Sequence, residues 1–173
     1  MANIYMRVDG IDDFKGMASV KEIANKKGFF PINSFSLGFS RSVFVSVGSA
    51  GDAETGVPTL GDVAVDREAD SASGILETLF FAPGDKGKTL EIVETKAKND
   101  GSGLIPVQII TMEEGRISSY SAVPGSNALT IAYTTLTITH YYEDAAGKVE
   151  KGDVVKFDLK LGKLESGNQD AKK

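Results

Sequence analysis

Alternation of apolar and polar residues along several short segments is the feature that most limits what this chain can fold into. The clearest instance is the segment 155–161, in which four apolar residues alternate with three charged ones. The same period of two recurs at 4–8 and 34–40. Successive side chains of a strand point to opposite faces, so this period predicts half-buried β-strands. Runs typical of strands also occupy 89–98, 104–112, 116–122 and 129–142, and together they predict an all-β protein.

The run 129–142 is longer than most strands in globular proteins. It is rich in Thr, Ile and Tyr, which suit a pleated surface. We therefore expect a strand that bends or that belongs to two sheets.

One segment has helical rather than strand periodicity. Ile75, Leu76, Leu79 and Phe80 fall on one side at 3.6 residues per turn. Asp70 or Ser73 is placed to cap the start of this helix, and the Pro83-Gly84 pair is placed to end it. A single short helix among many strands buries one stripe, so we expect it against an end or opening of the sheets.

Composition limits the domain count and excludes several kinds of site. The 173 residues fit one domain, which we place at 1–164, with residues 165–173 as a disordered polar tail. The chain has no cysteine, so it has no disulfide or thiolate metal site. Its net charge of −5 comes from well-mixed acidic and basic residues; it shows no basic patch of the kind that binds nucleic acid.

Targeting signals are also missing from the sequence. Residues 1–7 turn polar at once, unlike a signal peptide, and no apolar run is long enough for a membrane span. We therefore expect a soluble protein made in the cytoplasm. If it is exported, we expect a route that does not read a cleavable signal.

Candidate catalytic and metal-binding residues are few. The one histidine, His140, stands near the end of a predicted strand, without a nucleophile or partner in a recognisable motif, and is expected to be a structural or surface residue. The adjacent Glu113 and Glu114 precede Gly115, which favours an exposed turn. The acidic segment 66–70 lacks the glycine and the ligand alternation of a calcium loop. The sequence thus predicts no enzyme, no metal and no cofactor.

Several stretches, read in order, resemble the haemolysin-coregulated protein (Hcp) family, the inner-tube proteins of bacterial type VI secretion systems. Residues 3–11 are similar to the family's first strand and turn, and 27–36 to its Gly and bulky apolar pair that lead into a Ser/aromatic strand. Residues 66–73, followed by Ile75-Leu76, are similar to its run into the single helix. Residues 129–141 resemble its late long strand, so the resemblance spans roughly 3–161.

Two positions depart from the family's usual pattern. Gly74 stands where the family usually has proline after the serine, and proline is the residue favoured at a first helical position. Asn127-Ala128 stands where the family often has an acidic residue. A contact between subunits made by that acid is therefore expected to be missing or replaced here.

The resemblance implies two antiparallel sheets in a barrel-like sandwich with one short α-helix. It also implies a homohexameric ring, stacking of rings into a hollow tube, and small effectors carried in the lumen. The implied partners are other copies of this chain, a contractile sheath, a spike protein and those effectors, with no nucleic acid and no membrane insertion. Secretion by this system follows from the same resemblance.

Two other functions remain open from the sequence. One is a tail-tube-like subunit of a related contractile injection machine or phage, and the other is a ligand-binding β-sandwich. Tube proteins close into rings through heterologous contacts, so oligomeric state separates them from the ligand-binding sandwich.

The Gly-, Ala- and acid-rich segment 47–61 is expected to be a long exposed loop, a feature that is usually functional in compact domains. The resemblance implies that an extended loop here touches the neighbouring ring. The predicted ring-stacking residues are Ser49, Ala50, Gly51, Asp52, Ala53, Glu54, Thr55, Gly56 and Val57.

Overall fold

The structure, a computed structural model, describes residues 3–11, 22–48 and 54–166. Its fourteen strands and one helix are, in chain order, β1 (Asn3–Val8), β2 (Phe30–Ile32), β3 (Ser34–Ser36), β4 (Phe39–Ser40), β5 (Val43–Phe44), β6 (Glu54–Thr55), β7 (Thr59–Leu60), β8 (Val63–Glu68), α1 (Ser73–Phe81), β9 (Lys88–Ala97), β10 (Leu104–Val123), β11 (Ser126–Ala132), β12 (Thr135–Glu143), β13 (Val149–Asp158) and β14 (Lys163–Leu164). The predicted all-β class with one short helix is confirmed.

Two antiparallel sheets share one long strand. The first sheet has the order β2-β1-β9-β10-β12-β13-β14, and the second has the order β10-β11-β8-β3. The sheets meet again where β2 runs into β3, and there the Asn33 N–H donates to the Asp66 carbonyl at 2.8 Å. This gives the barrel-like sandwich that the resemblance implied.

The bend in β10 lies at Glu114 and Gly115. Glu114 has a φ of 51°, and the register against β9 shifts between Met112 and Gly115. A Cβ on Gly115 would meet the Leu90 side chain and lie 3.1 Å from the Lys88 carbonyl oxygen, so glycine suits this close approach. The sequence favoured an exposed turn here. That expectation is wrong, because a β-bulge bends one strand from the first sheet into the second.

The predicted run 129–142 is two strands instead of one. β11 ends at Ala132 and β12 begins at Thr135, and the two lie in different sheets. The expectation that this run serves two sheets is confirmed, but the chain breaks at residues 133–134 rather than bending.

The main core fills the space between the two sheets. It includes fully buried side chains from both, among them Met6, Phe30, Ile92, Met112 and Ile131. Leu76 of α1 is also fully buried in this core. A smaller cluster lies on the outer face of the first sheet, where Ile23 and Phe29 pack against Tyr5, Val93 and Ile109.

The ends of the predicted domain are partly described. Glu165, in the segment predicted to be a disordered tail, donates its backbone N–H to the Lys156 carbonyl at 2.7 Å, and Ser166 is buried. The remaining tail residues, 167–173, lie outside the described residues.

Candidate functional site

A long β-hairpin leaves the second sheet between β3 and β8. Its two sides pair at β4 with β7 and at β5 with β6, and further backbone bonds join Gly61 to Gly38 at 3.0 Å and Gly56 to Ser42 at 2.8 Å. We call residues 38–61 the arm, and its described part, 38–48 and 54–61, the stem. The sequence predicted a loop that began only at residue 47; the structure shows a hairpin that begins nine residues earlier in the chain.

The stem is unusually apolar for an exposed hairpin. Phe39, Val43, Phe44 and Val45 are 57–67% exposed, and Val47 is also exposed. Grouped apolar side chains that face solvent commonly mark interaction sites, whereas scattered ones do not. The arm is therefore the part of the described surface best suited to contact another protein.

Only part of the predicted ring-stacking group falls within the described residues. Residues 49–53 lie outside the described residues. Glu54 and Thr55 form β6, Gly56 bonds to Ser42, and Val57 is exposed. The structure thus places the described members of this group on the returning side of the hairpin, and their role in stacking stays a prediction.

A buried tyrosine fixes the base of the arm. The Tyr133 hydroxyl donates to the Gly61 carbonyl at 2.9 Å, and its ring lies in the main core. Burial, with a smaller effect of the nearby Asp62 carboxylate, raises the pKa of Tyr133 to about 12. The hydroxyl therefore stays protonated and able to donate this hydrogen bond at neutral pH.

An apolar groove of about 330 Å³ lies beside the base of the arm. We call it the arm groove; it is lined by Phe39, Ser40, Arg41, Pro58, Leu60, Leu136, Ile138, Val155, Phe157 and Leu164. One wall is the arm, and the other is the start of β12, the end of β13 and β14. Val155 on that second wall is 40% exposed. Sequence reasoning missed both the stem and this groove, although the spacing of Val43, Val45 and Val47 is a strand signal.

At the other end of the second sheet, a buried arginine holds the start of the helix. Arg67 is fully buried; it bonds to the Asp70 carboxylate and donates to Ser73 Oγ at 3.0 Å. Its guanidinium carbon lies 5.1 Å from the centre of the Phe30 ring, a cation–π distance. These residues belong to the segment 66–73 that carried the family resemblance.

The expected side-chain cap of the helix is not what the structure shows. Ala72 precedes the first helical residue, and no side chain makes a cap bond there. Asp70 Oδ1 accepts from the Ala72 N–H at 2.8 Å and so closes the turn before the helix. Ser73 is the first helical residue, and its hydroxyl accepts from Arg67 instead of from the first helical turn.

Asn127, which stands where the family often has an acidic residue, completes this cluster. It is buried on β11, and its amide oxygen, turned toward the cluster, accepts from Ser73 Oγ at 2.7 Å and from the Tyr120 hydroxyl at 2.9 Å. The same oxygen lies 3.2 Å from Arg67 Nη1. Asn127 therefore acts within the subunit. Its amide oxygen is a neutral hydrogen-bond acceptor in the same cluster as the charged Asp70 carboxylate.

The remaining sequence candidates lie apart. His140 is an exposed residue of β12, paired with Gln108 of β10. Glu114 bonds to Lys160 at 2.6 Å and to the Thr134 hydroxyl at 3.1 Å, and these partners hold its pKa below the usual range. Within residues 3–11, 22–48 and 54–166, no three His, Cys, Asp or Glu side chains gather as metal ligands would. None of the helices in that part of the chain has the length and apolarity needed to cross a bilayer.

Known structures share this architecture. A structure described as that of a type six secretion system protein superposes with a TM-score of 0.76 at 21% identity, covering 95% of this chain and all of its own. Hcp1 from Salmonella typhimurium gives 0.63 at 16% identity, over 94% of this chain and 98% of that one. A type VI secretion system effector from Yersinia pestis gives 0.51 at 16% identity, over 90% and 98%. At these identities the likeness establishes the fold.

Sequence comparison gives the family. No curated protein matches the chain. The sequence model of the family described as "Type VI secretion system effector, Hcp" matches residues 5–140, well over half of the chain. That stretch contains most of β1, the arm, the Arg67 cluster, α1 and the bent strand β10. On this match, and with the shared fold, the chain belongs to the Hcp family of the type VI secretion system.

Proposed function

We propose that this chain, a tube protein of the type VI secretion system, closes with five further copies into a ring, and that the rings stack into a hollow tube. The observation that carries the proposal is the family match together with an apolar, exposed hairpin at one end of the barrel. An apolar arm on the surface of a small domain is costly unless another protein covers it. Repeated heterologous contacts that close give a cyclic assembly.

The proposed tube implies several partners for this protein. In this proposal the lumen carries small effectors, a contractile sheath surrounds the tube, a spike protein caps it, and the chain is secreted with its cargo. The role is structural and involves no catalytic step. In the cell the chain is made in the cytoplasm and leaves through the same machine.

Ring formation is the direct test. Light scattering of the purified chain at micromolar concentration should give about six times the chain mass of 18.3 kDa. Negative-stain images should show rings with a central hole. A monomer at high micromolar concentration contradicts the tube and favours a ligand-binding sandwich.

A further inference from the structure

Residues 22–29, which we call the strap, lie on the outer face of the first sheet just before β2. Two apolar side chains hold the strap there, since Ile23 and Phe29 are each only 4% exposed. The turn between them, residues 24–27, is exposed. The strap covers an apolar patch of the sheet formed by Tyr5, Val93 and Ile109. It therefore hides this patch while burying little of itself.

A buried carboxylate fastens the strap to the sheet. Glu91 stands two residues before Val93 on β9, so both side chains lie on the same face. Glu91 is buried; its carboxylate bonds to Lys26 Nζ and accepts from Arg7 Nη1 at 2.7 Å. Arg7 Nε also donates to the Lys27 carbonyl at 3.1 Å. The Lys26–Glu91 ion pair links a strap side chain directly to the sheet, and we call it the latch.

The turn of the strap has an unfavourable backbone conformation. The N–H groups of Ile23 and Lys26 each donate to the other residue's carbonyl at 3.0 Å and close a two-residue turn. Its central residues, Ala24 and Asn25, have φ values of 51° and 62°. Positive φ at both central positions is typical of a type I′ turn, which favours Asn-Gly, whereas alanine is disfavoured there. The latch therefore holds the strap closed against a local backbone cost.

The barrel does not depend on the strap for its own pairing. β1 is bonded to β2 on one side and to β9 on the other, and the main core lies on the opposite face of this sheet. Segments that open locally in a native protein have few buried apolar contacts and exposed backbone hydrogen bonds. The strap has two buried apolar side chains and an exposed turn, so it meets both conditions.

We infer that the strap opens and closes over the apolar patch while the barrel stays folded, and that the latch holds the closed state against the strain of the turn. Opening breaks the Lys26–Glu91 pair and lifts Ile23 from the patch. The Arg7–Glu91 pair remains, since both of its residues belong to the sheet. The strap thereby controls access to an apolar surface on the outside of the first sheet. This device lies within one chain and does not depend on the proposed ring.

Thiol labelling measures the opening directly, because the chain has no cysteine of its own. Val93→Cys places a thiol in the patch, and Ile92→Cys places one in the main core on the other face of the same strand. Each full-length variant is treated with iodoacetamide under native conditions, and mass spectrometry follows the modified fraction with time. We expect Val93→Cys to react about tenfold faster or more, because local opening is more frequent than global unfolding. Equal rates overturn the inference.

Two neighbouring lysines test the latch in the Val93→Cys background. Lys26→Met removes the charge and keeps the aliphatic stem, so labelling should become about fivefold faster. Lys27→Met is the matched control and should leave the rate unchanged, because Lys27 contacts Arg7 through its backbone carbonyl. Labelling of Ile92→Cys should not respond to either change. Equal effects of the two lysine variants, or an equal effect of Lys26→Met at both thiols, overturn the inference.

A substitution in the turn should act in the opposite direction. Ala24→Asn introduces a residue that tolerates positive φ better than alanine does. The closed strap should then be more stable, and labelling of Val93→Cys should become about threefold slower. Labelling of Ile92→Cys in the same background reports whether the whole barrel has changed in stability. An unchanged or faster rate at Val93→Cys overturns the inference, because the closed strap would then carry no strain for the latch to hold.

Discussion

At the scale of single residues, the most constrained group is the buried guanidinium of Arg67. A charge removed from water is tolerated only when it is paired and hydrogen-bonded. Asp70, Ser73 and Asn127 supply those partners from the helix start and from β11. The sequence singled out Asp70 and Ser73 as caps, and the structure shows that both serve the arginine. The pairing could not be read from the sequence because Asn127 is more than fifty residues away.

Removing the carboxylate should therefore cost more than loss of a helix cap. Asp70→Ala leaves Arg67 as an uncompensated buried charge and should lower the free energy of unfolding by about 3 kcal/mol. Urea unfolding followed by circular dichroism measures this change. Glu68→Ala, an exposed acid on the same segment, is the control and should cost under about 0.5 kcal/mol. Similar unfolding midpoints for the two variants would contradict the role given to Asp70.

At the scale of elements, sequence periodicity predicted the helix and strands whose formation depends on local interactions. The helix at Ser73–Phe81 and the alternating strands follow from periodicity. The bend in β10 and the break at residues 133–134 do not, because packing against distant residues determines both. The register of β10 shifts next to Gly115, where the Leu90 side chain of β9 lies close to the backbone. Tyr133 follows the last residue of β11, and its hydroxyl reaches Gly61. Sequence alone could not bring these pairs together.

The arm offers the prediction that belongs to this scale. Replacement of residues 49–57 by a short Gly-Ser linker removes the segment assigned to stacking and keeps Val43, Phe44 and Val45. Rings should form with an unchanged number of subunits by light scattering, while tubes should be absent from negative-stain images and secretion should stop. The control variant carries a linker that matches residues 49–57 in length and in net charge. Tubes of normal length from the shortened chain would show that this segment does not stack rings.

At the scale of the whole molecule, stability and assembly are coupled. A ring binds only folded subunits, so its formation stabilises the folded state by mass action. The fold class could be predicted from sequence periodicity, and the two-sheet arrangement from the family resemblance. The arm groove could not, since it is lined by residues drawn from 39 to 164.

This coupling should appear in thermal melts. A hundredfold rise in protein concentration should raise the Tm of the parent chain by roughly 5 °C. A parent Tm that does not depend on concentration would mean that the subunits melt as independent monomers.

The twenty-residue strand β10 has a mechanical consequence. It is hydrogen-bonded to β9 and β12 along its first half and to β11 along its second. Antiparallel bonds lie perpendicular to the strands, so tension along β10 loads many bonds in shear at once, and none can open before the others. A tube wall that contains such strands resists stretching along the direction of β10. The two-residue ladders of the stem open one after another and yield at far lower force.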